Sequence, residues 1–342
     1  MNGRKDSLQP LGAHRLESRG HLFAWLQLVR LPNAFTVIAD VLAGAILVRG
    51  TWQPWPLIVT LVVSAVGMYW AGMILNDLYD VDKDRLQNRG RPLVDERISL
   101  ATARLVAYIL LFGGIAATFV VSLVFARGDT TVSFAISSSW LRYSTPLVAV
   151  ALAIAIWLYD GPLKATVVGP LLMGMCRVGS LLLGISIGWW FEPTQPWNAD
   201  HLWIAAIGHG VYVMGITWAA RREAEATQTW TLGFGWSICV IGIAMLASVS
   251  WFAMDGKPMR LESQTSYPIA IALLSLPWAR RATFSLAHPG PNTIQAAVKQ
   301  AILSIIFFDA ILALQFGGPW PAITICLLIV PAMLTGRYLK ST

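Results

Sequence analysis

Charge is scarce in this sequence. Only 13% of its 342 residues are Asp, Glu, Lys or Arg, about half the share of an ordinary soluble domain. Cysteine is scarcer. Cys176, Cys239 and Cys326 are an odd number, each inside an apolar run, which excludes a disulfide scaffold and offers no cysteine metal motif. The ten-residue alternation of a membrane barrel is missing, and the apolar runs are continuous. The chain is also too apolar and too aromatic for intrinsic disorder. Apolar surface is what it has in plenty: 56% hydrophobic residues, 16 Trp and a mean hydropathy of +0.60. One water-facing fold cannot hide that much, so a soluble globular enzyme is excluded. A polytopic all-α membrane protein remains, and its net charge of +7 calls for a membrane explanation rather than a nucleic-acid partner.

About 20 mostly apolar residues cross a bilayer as a helix. Segments 31–49, 55–76, 101–126, 143–159, 166–190, 202–220, 230–254, 264–279, 294–316 and 319–336 approach that length. They predict a transmembrane bundle of nine to ten spans, the fourth and eighth being short. With ten spans and a cytoplasmic N-terminus, 19 Lys and Arg fall on the cytoplasmic side and five (Arg49, Arg127, Arg142, Lys257, Arg260) on the other. That is the positive-inside bias, and it places the chain in an inner or plasma membrane. Residues 1–22 read as a disordered cytoplasmic tail without the apolar core of a signal peptide. Residues 23–338 read as one transmembrane domain. Trp52, Trp55, Trp189, Trp190, Trp197 and Trp203 read as an interfacial belt at the opposite ends of the spans.

The second span runs directly into Asn76-Asp-Leu-Tyr-Asp-Val-Asp-Lys-Asp84. If the helix continues, Asn76, Asp77, Asp80 and Asp84 share an arc of about 100°, while Asp82 points elsewhere. Three carboxylates on one face repel one another unless a cation neutralises them. Hard oxygen donors at this spacing suit Mg²⁺, which binds through one or two carboxylates plus waters and substrate phosphates. The alternative is a solvated acidic cap, which the helix dipole disfavours at a C-terminus. A basic stretch follows, with Arg85, Arg89 and Arg91. Beside metal-binding acids such cations suit a polyphosphate, although they also belong to the topology signal.

The string NDLYDVDKD fits the NDxxDxxxD signature and resembles the UbiA superfamily of intramembrane prenyltransferases. Arg89-Gly-Arg-Pro-Leu93 is similar to that family's RPL-type stretch. Arg30-Leu-Pro-Asn33 resembles its RxxN, and the segment from Tyr159 to Lys164 its YxxxxK. Tyr159-Asp160 and the run Gly169–Arg177 resemble the EboC-like branch. The resemblance covers roughly residues 25 to 315. It implies a doubled four-helix arrangement around a central chamber, with halves of about 23–160 and 165–285. It implies transfer of an isoprenyl group from a prenyl diphosphate to an aromatic or other small-molecule acceptor. Asp77, Asp80 and Asp84, helped by Asn76, would hold Mg²⁺ on the diphosphate. Lys164, Arg91 and Arg222 would neutralise the leaving group, and Asn33 would lie on the substrate side.

The same resemblance implies a second acidic motif at the end of span six. There the chain reads Arg221-Arg222-Glu223-Ala224-Glu225-Ala226-Thr227, with Glu223 placed 146 residues after Asp77. Glu223 would be a metal ligand, and Glu225 would contribute to the site. The two lie about 200° apart on a helix, so the alternative is an Arg221–Glu225 pair on a wet surface. Asp40, Arg177 and Asp309 fall inside spans one, five and nine. Each is costly against lipid and should face the interior, which predicts that Arg177 pairs with Asp40 or Asp309. His209, near the middle of span six, has no His or Cys at ligand spacing, so no zinc is expected. The reading from a different class is a non-catalytic membrane protein that binds or transports an amphiphilic or prenylated small molecule.

Overall fold

In lipid a spanning chain must satisfy its own backbone, and helices do so one segment at a time. The computed structural model describes residues 11–87, 90–128, 143–188, 199–221, 229–253, 259–262 and 264–339, and the elements formed there are helices. In chain order they are α1 (Leu11–Leu28), α2 (Leu31–Arg49), α3 (Trp55–Leu86), α4 (Leu100–Gly128), α5 (Ser144–Asp160) and α6 (Gly169–Ile185). Then follow α7 (Asp200–Ala220), α8 (Thr229–Phe252), α9 (Ser266–Ala287), α10 (Pro291–Gly317), α11 (Pro319–Leu327) and α12 (Ile329–Tyr338). Seven candidate spans among the described residues are long and apolar enough to cross a membrane, and α5 and α6 are shorter apolar helices. Large apolar side chains cover the outside of α4, including Leu105, Ile109, Phe112 and Val120. Water would penalise such a face, whereas a bilayer accepts it.

Consecutive helices from α2 to α10 pack on one another, and α10 returns to α2, so the bundle closes into a ring. α2–α5 and α6–α9 are successive sets of four. Their seam is the crossing of α2 with α6, where a Cβ on Gly44 would overlap the Leu181 carbonyl and one on Gly184 the Val41 carbonyl. Small residues let backbones meet this way in membranes. A similar contact joins α6 to α7, where a Cβ on Gly174 would lie 2.6 Å from the Gly210 carbonyl oxygen.

α3 sets the position of the acidic residues. Its 32 residues extend about 48 Å, well beyond a hydrocarbon core of about 30 Å. The helix therefore carries Asn76 to Asp84 without a break past the end of the apolar run.

Several boundaries differ from the sequence expectation. The stretch read as a disordered tail to residue 22 is helical from Leu11, because Ala24 and Leu28 bury against α3 and the 93–107 region and carry the helix with them. α6 begins at Gly169 rather than 166, since a turn over 161–168 precedes it. α9 extends to Ala287 through Arg280 and Arg281, whose charges had ended the apolar run. The tenth segment is two helices joined at Leu328. Pro331 has no N–H for the Leu327 carbonyl and crowds it, so the helix breaks one turn before the proline. Trp189, Trp190 and Trp197 of the expected belt lie outside the described residues.

The α2–α6 crossing makes a direct prediction. Gly184→Ala should lower the thermal midpoint in detergent, with a cost of about 1–3 kcal/mol from overpacking. Gly113→Ala, where an added Cβ meets nothing within 4 Å, should be neutral or stabilising. Equal midpoints for the two variants would contradict backbone contact at the crossing.

Candidate functional site

Where α3 leaves the apolar layer, its acidic face meets cations from three other segments. Arg91 places Nη1 3.0 Å from Asp77 Oδ1 and 2.7 Å from Asp84 Oδ2. Arg30 Nη2 reaches the same Asp77 oxygen at 3.3 Å, and Asn76 Nδ2 donates to it at 3.2 Å. Lys164 pairs with Asp80. Asp77 and Asp84 are buried, whereas the Asp82 side chain is 90% exposed and pairs only loosely with Arg85. The face inferred from helical spacing is the one that turns inward.

Local backbone explains how these cations arrive. Arg30 caps α2 in the left-handed region, at φ 47 and ψ 54, a conformation that costs a non-glycine residue about 1–2 kcal/mol. The Tyr69 hydroxyl donates to its carbonyl at 3.4 Å, and the turn aims the guanidinium at Asp77. Lys164 sits in the turn between α5 and α6. Arg221, at the end of α7, holds that turn by donating to the Thr166 carbonyl at 2.6 Å and to the Lys164 carbonyl. Partial burial pulls the Arg221 guanidinium below its ordinary pKa, with Tyr159 opposing; a guanidinium between carbonyl oxygens stays charged. The end of span six is thus at the first acidic motif. Arg222, Glu223 and Glu225 lie outside the described residues.

Inward from this mouth is a chamber of about 310 Å³. Arg30, Asn33, Tyr159 and Asp160 stand at its entrance, and its walls include Ile156, Val213 and Ile302. Thr36 and Arg177 lie on the wall deeper along α2 and α6. Arg177 pairs with Asp40 and donates to the Thr36 hydroxyl at 2.8 Å, so of its two expected partners it takes Asp40. Sequence reasoning did not single out Asp160 as a site residue. The residue is 2% exposed, one carboxyl oxygen has no hydrogen-bond partner, and the charges of Lys164, Arg30, Asp77 and Asp80 all act on it. The position beside Tyr159 and one turn before Lys164 was the available signal.

The oxygen donors of Asp77, Asp80, Asp84 and Asn76 fit Mg²⁺ chemically. Their carboxylates are held by Arg and Lys in this geometry and do not converge on one point. Mg²⁺ needs only one or two of them, with phosphate and water completing its shell.

Fold and site together define an intramembrane helical protein with a charged mouth opening onto an apolar chamber. The chain belongs to the UbiA prenyltransferase family, whose model matches residues 37–290. It is 34% identical over 93 residues to the digeranylgeranylglyceryl phosphate synthase of Methanoculleus marisnigri, covering 27% of this chain and 33% of that protein. It is 36% identical over 102 residues to the synthase of the same name from Methanococcus vannielii, covering 29% and 36%. The chain thus spans about a third of the length of the curated relatives it matches. A UbiA homolog from Archaeoglobus fulgidus, solved bound to GPP and Mg²⁺, shares the fold with a TM-score of 0.58 at 15% identity, over 89% of this chain and 99% of that one. A structure from work on digeranylgeranylglyceryl phosphate synthase in membranes gives 0.55 at 16% identity, over 94% and 99%.

Arg91 is the shared partner of two buried acids, which makes its removal costly. Arg91→Met should destabilise the protein by about 3–5 kcal/mol, because it strands buried charge. Adding Asp84→Asn should recover part of that loss. Unfolding of both single variants and the double variant in detergent measures the coupling, and strict additivity would contradict the bridge.

Proposed function

We propose that this protein transfers an isoprenyl group from a prenyl diphosphate to a small-molecule acceptor, aromatic or otherwise, within the membrane and with Mg²⁺. The observation that carries the reading is the paired lattice of Asp77, Asp80, Asp84, Arg30, Arg91 and Lys164 at the mouth of an apolar chamber. The diphosphate would sit at the mouth and the isoprenyl chain in the chamber. The excess of Lys and Arg in the same loops favours a cytoplasmic mouth and N-terminus.

Asp77, Asp80 and Asp84 would hold Mg²⁺, with Glu223 and Glu225 as candidates from the far half. Bound there, Mg²⁺ supplies Lewis-acid stabilisation of departing pyrophosphate. Arg30, Arg91 and Lys164, which pair with these carboxylates, would donate to phosphate oxygens, with Arg222 as a further candidate. The bond between the allylic carbon and the diphosphate oxygen breaks, and the electron pair leaves with pyrophosphate. The apolar walls at Ile156, Val213 and Ile302 keep water from the carbocation. A bond then forms from the acceptor to that carbon, and Asp160 at the chamber entrance, in its ionised carboxylate form, would take the acceptor's proton. Asn33 lies close enough to the entrance to orient either substrate.

The second reading is a carrier for an amphiphilic molecule, and it rests on the Arg177–Asp40 pair at the chamber wall. A geranylgeranyl diphosphate analogue that cannot ionise separates the two. For a transferase, Mg²⁺ should be required for its binding, and Asp80→Asn should weaken that binding by about tenfold or more, about 1.4 kcal/mol. Metal-independent binding would favour the carrier. Asp160→Asn should leave analogue binding intact and slow prenyl transfer by about 10²–10⁴-fold; unchanged transfer would remove Asp160 from the reaction.

A further inference from the structure

Beyond the chamber the three helices that wall it converge once more. Thr36, Val213 and Ile305 line the chamber. One helical turn deeper on each helix stand Asp40 of α2, His209 of α7 and Asp309 of α10. All three are fully buried, and one ligand atom from each lies within 4.8 Å of the others. We propose that Asp40, His209 and Asp309 form a second metal site, for a transition-metal dication of the Zn²⁺ type, separate from the diphosphate site.

Hydrogen bonding carries the inference. His209 Nδ1 lies 2.9 Å from the Ala205 carbonyl oxygen. A carbonyl only accepts, so Nδ1 carries the proton and Nε2 presents its lone pair in the neutral ring. Nε2 stands 2.9 Å from Asp309 Oδ1, where a protonated ring pairs with that carboxylate and a neutral ring faces it lone pair to lone pair. Asp309 Oδ2 and Asp40 Oδ1 have no hydrogen-bond partner. Beside that pair, two carboxylate oxygens without hydrogen-bond partners therefore meet at a fully buried point. A proton on Nε2 would relieve one contact and leave the other two oxygens unsatisfied, which is expensive for buried ionised groups. A dication would satisfy all three residues together.

The donor set selects the ion. One imidazole nitrogen with two carboxylates is a three-ligand set that leaves a position open, as Zn²⁺ sites often do. Mg²⁺ prefers oxygen and keeps several waters. The Nδ1 bond to Ala205 is the outer contact that fixes the tautomer and aims Nε2. Arg177 binds the other oxygen of Asp40, so it offsets one carboxylate charge while Oδ1 stays available. Arg177 also borders the chamber, so the site lies next to the chamber wall. In sequence the donors are 169 and 100 residues apart, so no local spacing announces them.

The test uses full-length protein in detergent, stripped with a chelator and titrated with Co²⁺ and then Zn²⁺. The expected result is one metal per chain by elemental analysis, visible Co²⁺ absorption bands and their displacement by Zn²⁺. His209→Gln and Asp309→Asn should abolish the bands while eluting as folded protein. Asp77→Asn, at the mouth, should retain them, which separates this site from the diphosphate site and from the fate of the transferase reading. Absence of saturable Co²⁺ binding in the intact protein would overturn the proposal and leave a protonated ion-pair network. Bands that persist in His209→Gln would overturn it too. Should both variants fail to fold, X-ray absorption on the Zn²⁺-loaded intact protein decides. One imidazole with oxygen ligands supports the site, and sulfur or several imidazoles overturn it.

Discussion

Taking a carboxylate out of water costs several kcal/mol unless a cation or a set of donors meets it, and this constraint orders the bundle from mouth to middle. At the mouth, Asp77 and Asp84 share Arg91, Asp77 adds Arg30, and Asp80 takes Lys164. In the middle, Asp40 takes Arg177. Each of these bonds joins residues far apart in sequence or on separate segments, so each also fixes how elements sit. Arg91 ties the loop after α3 back onto α3. Lys164 ties the α5–α6 turn to it, and Arg221 ties the end of α7 to that turn. The α5–α6 turn and the end of α7 thus meet α3 at the mouth through these bonds.

α2 joins the mouth to the middle. Arg30 precedes it in a left-handed turn, and Asn33, Thr36, Asp40 and Gly44 follow at intervals of three or four residues. That spacing keeps them along one stripe of the helix. The stripe supplies in turn a cation for the acidic face, a polar chamber wall, a partner for Arg177 and the backbone contact with α6. The close approach at Gly44 and Gly184 lets the Arg177 side chain, about two turns away on α6, lie on Asp40. A bulkier residue at the crossing would therefore be felt at the chamber wall as well as in packing.

The sequence revealed what is periodic and local. The acidic face of α3 follows from 100° per residue once the helix is allowed to continue, and Asp82 falls off that face for the same reason. The cost of charge in hydrocarbon foretold that Arg177 would find an acid. Features made by three or more segments stayed hidden. Asp160 joins the mouth only because α5 ends against α3, near Gly72, where an added Cβ would lie 3.3 Å from an Asp160 oxygen. His209 looked isolated because its neighbours Asp40 and Asp309 arrive from other spans. The helical start at Leu11 was missed because polar residues there mask a short anchored stretch at Ala24 and Leu28.

On the proposed reading, the pairing at the mouth makes substrate binding an exchange rather than an addition. In the present geometry the acidic and basic groups neutralise one another, so the mouth is stable without substrate. An anion alone gains little there, since the cations are engaged by carboxylates. A dication alone would displace those same cations and leave them, Arg91 above all, without their anionic partners. Metal and diphosphate together would satisfy both sets, because the carboxylates would hold the metal and the Arg and Lys side chains would donate to phosphate oxygens. Binding of the two would therefore be coupled through shared partners, and such coupling would be reciprocal. The lattice that keeps charge tolerable at the membrane edge is thus also what would make the site selective for a metal-bound diphosphate over either component.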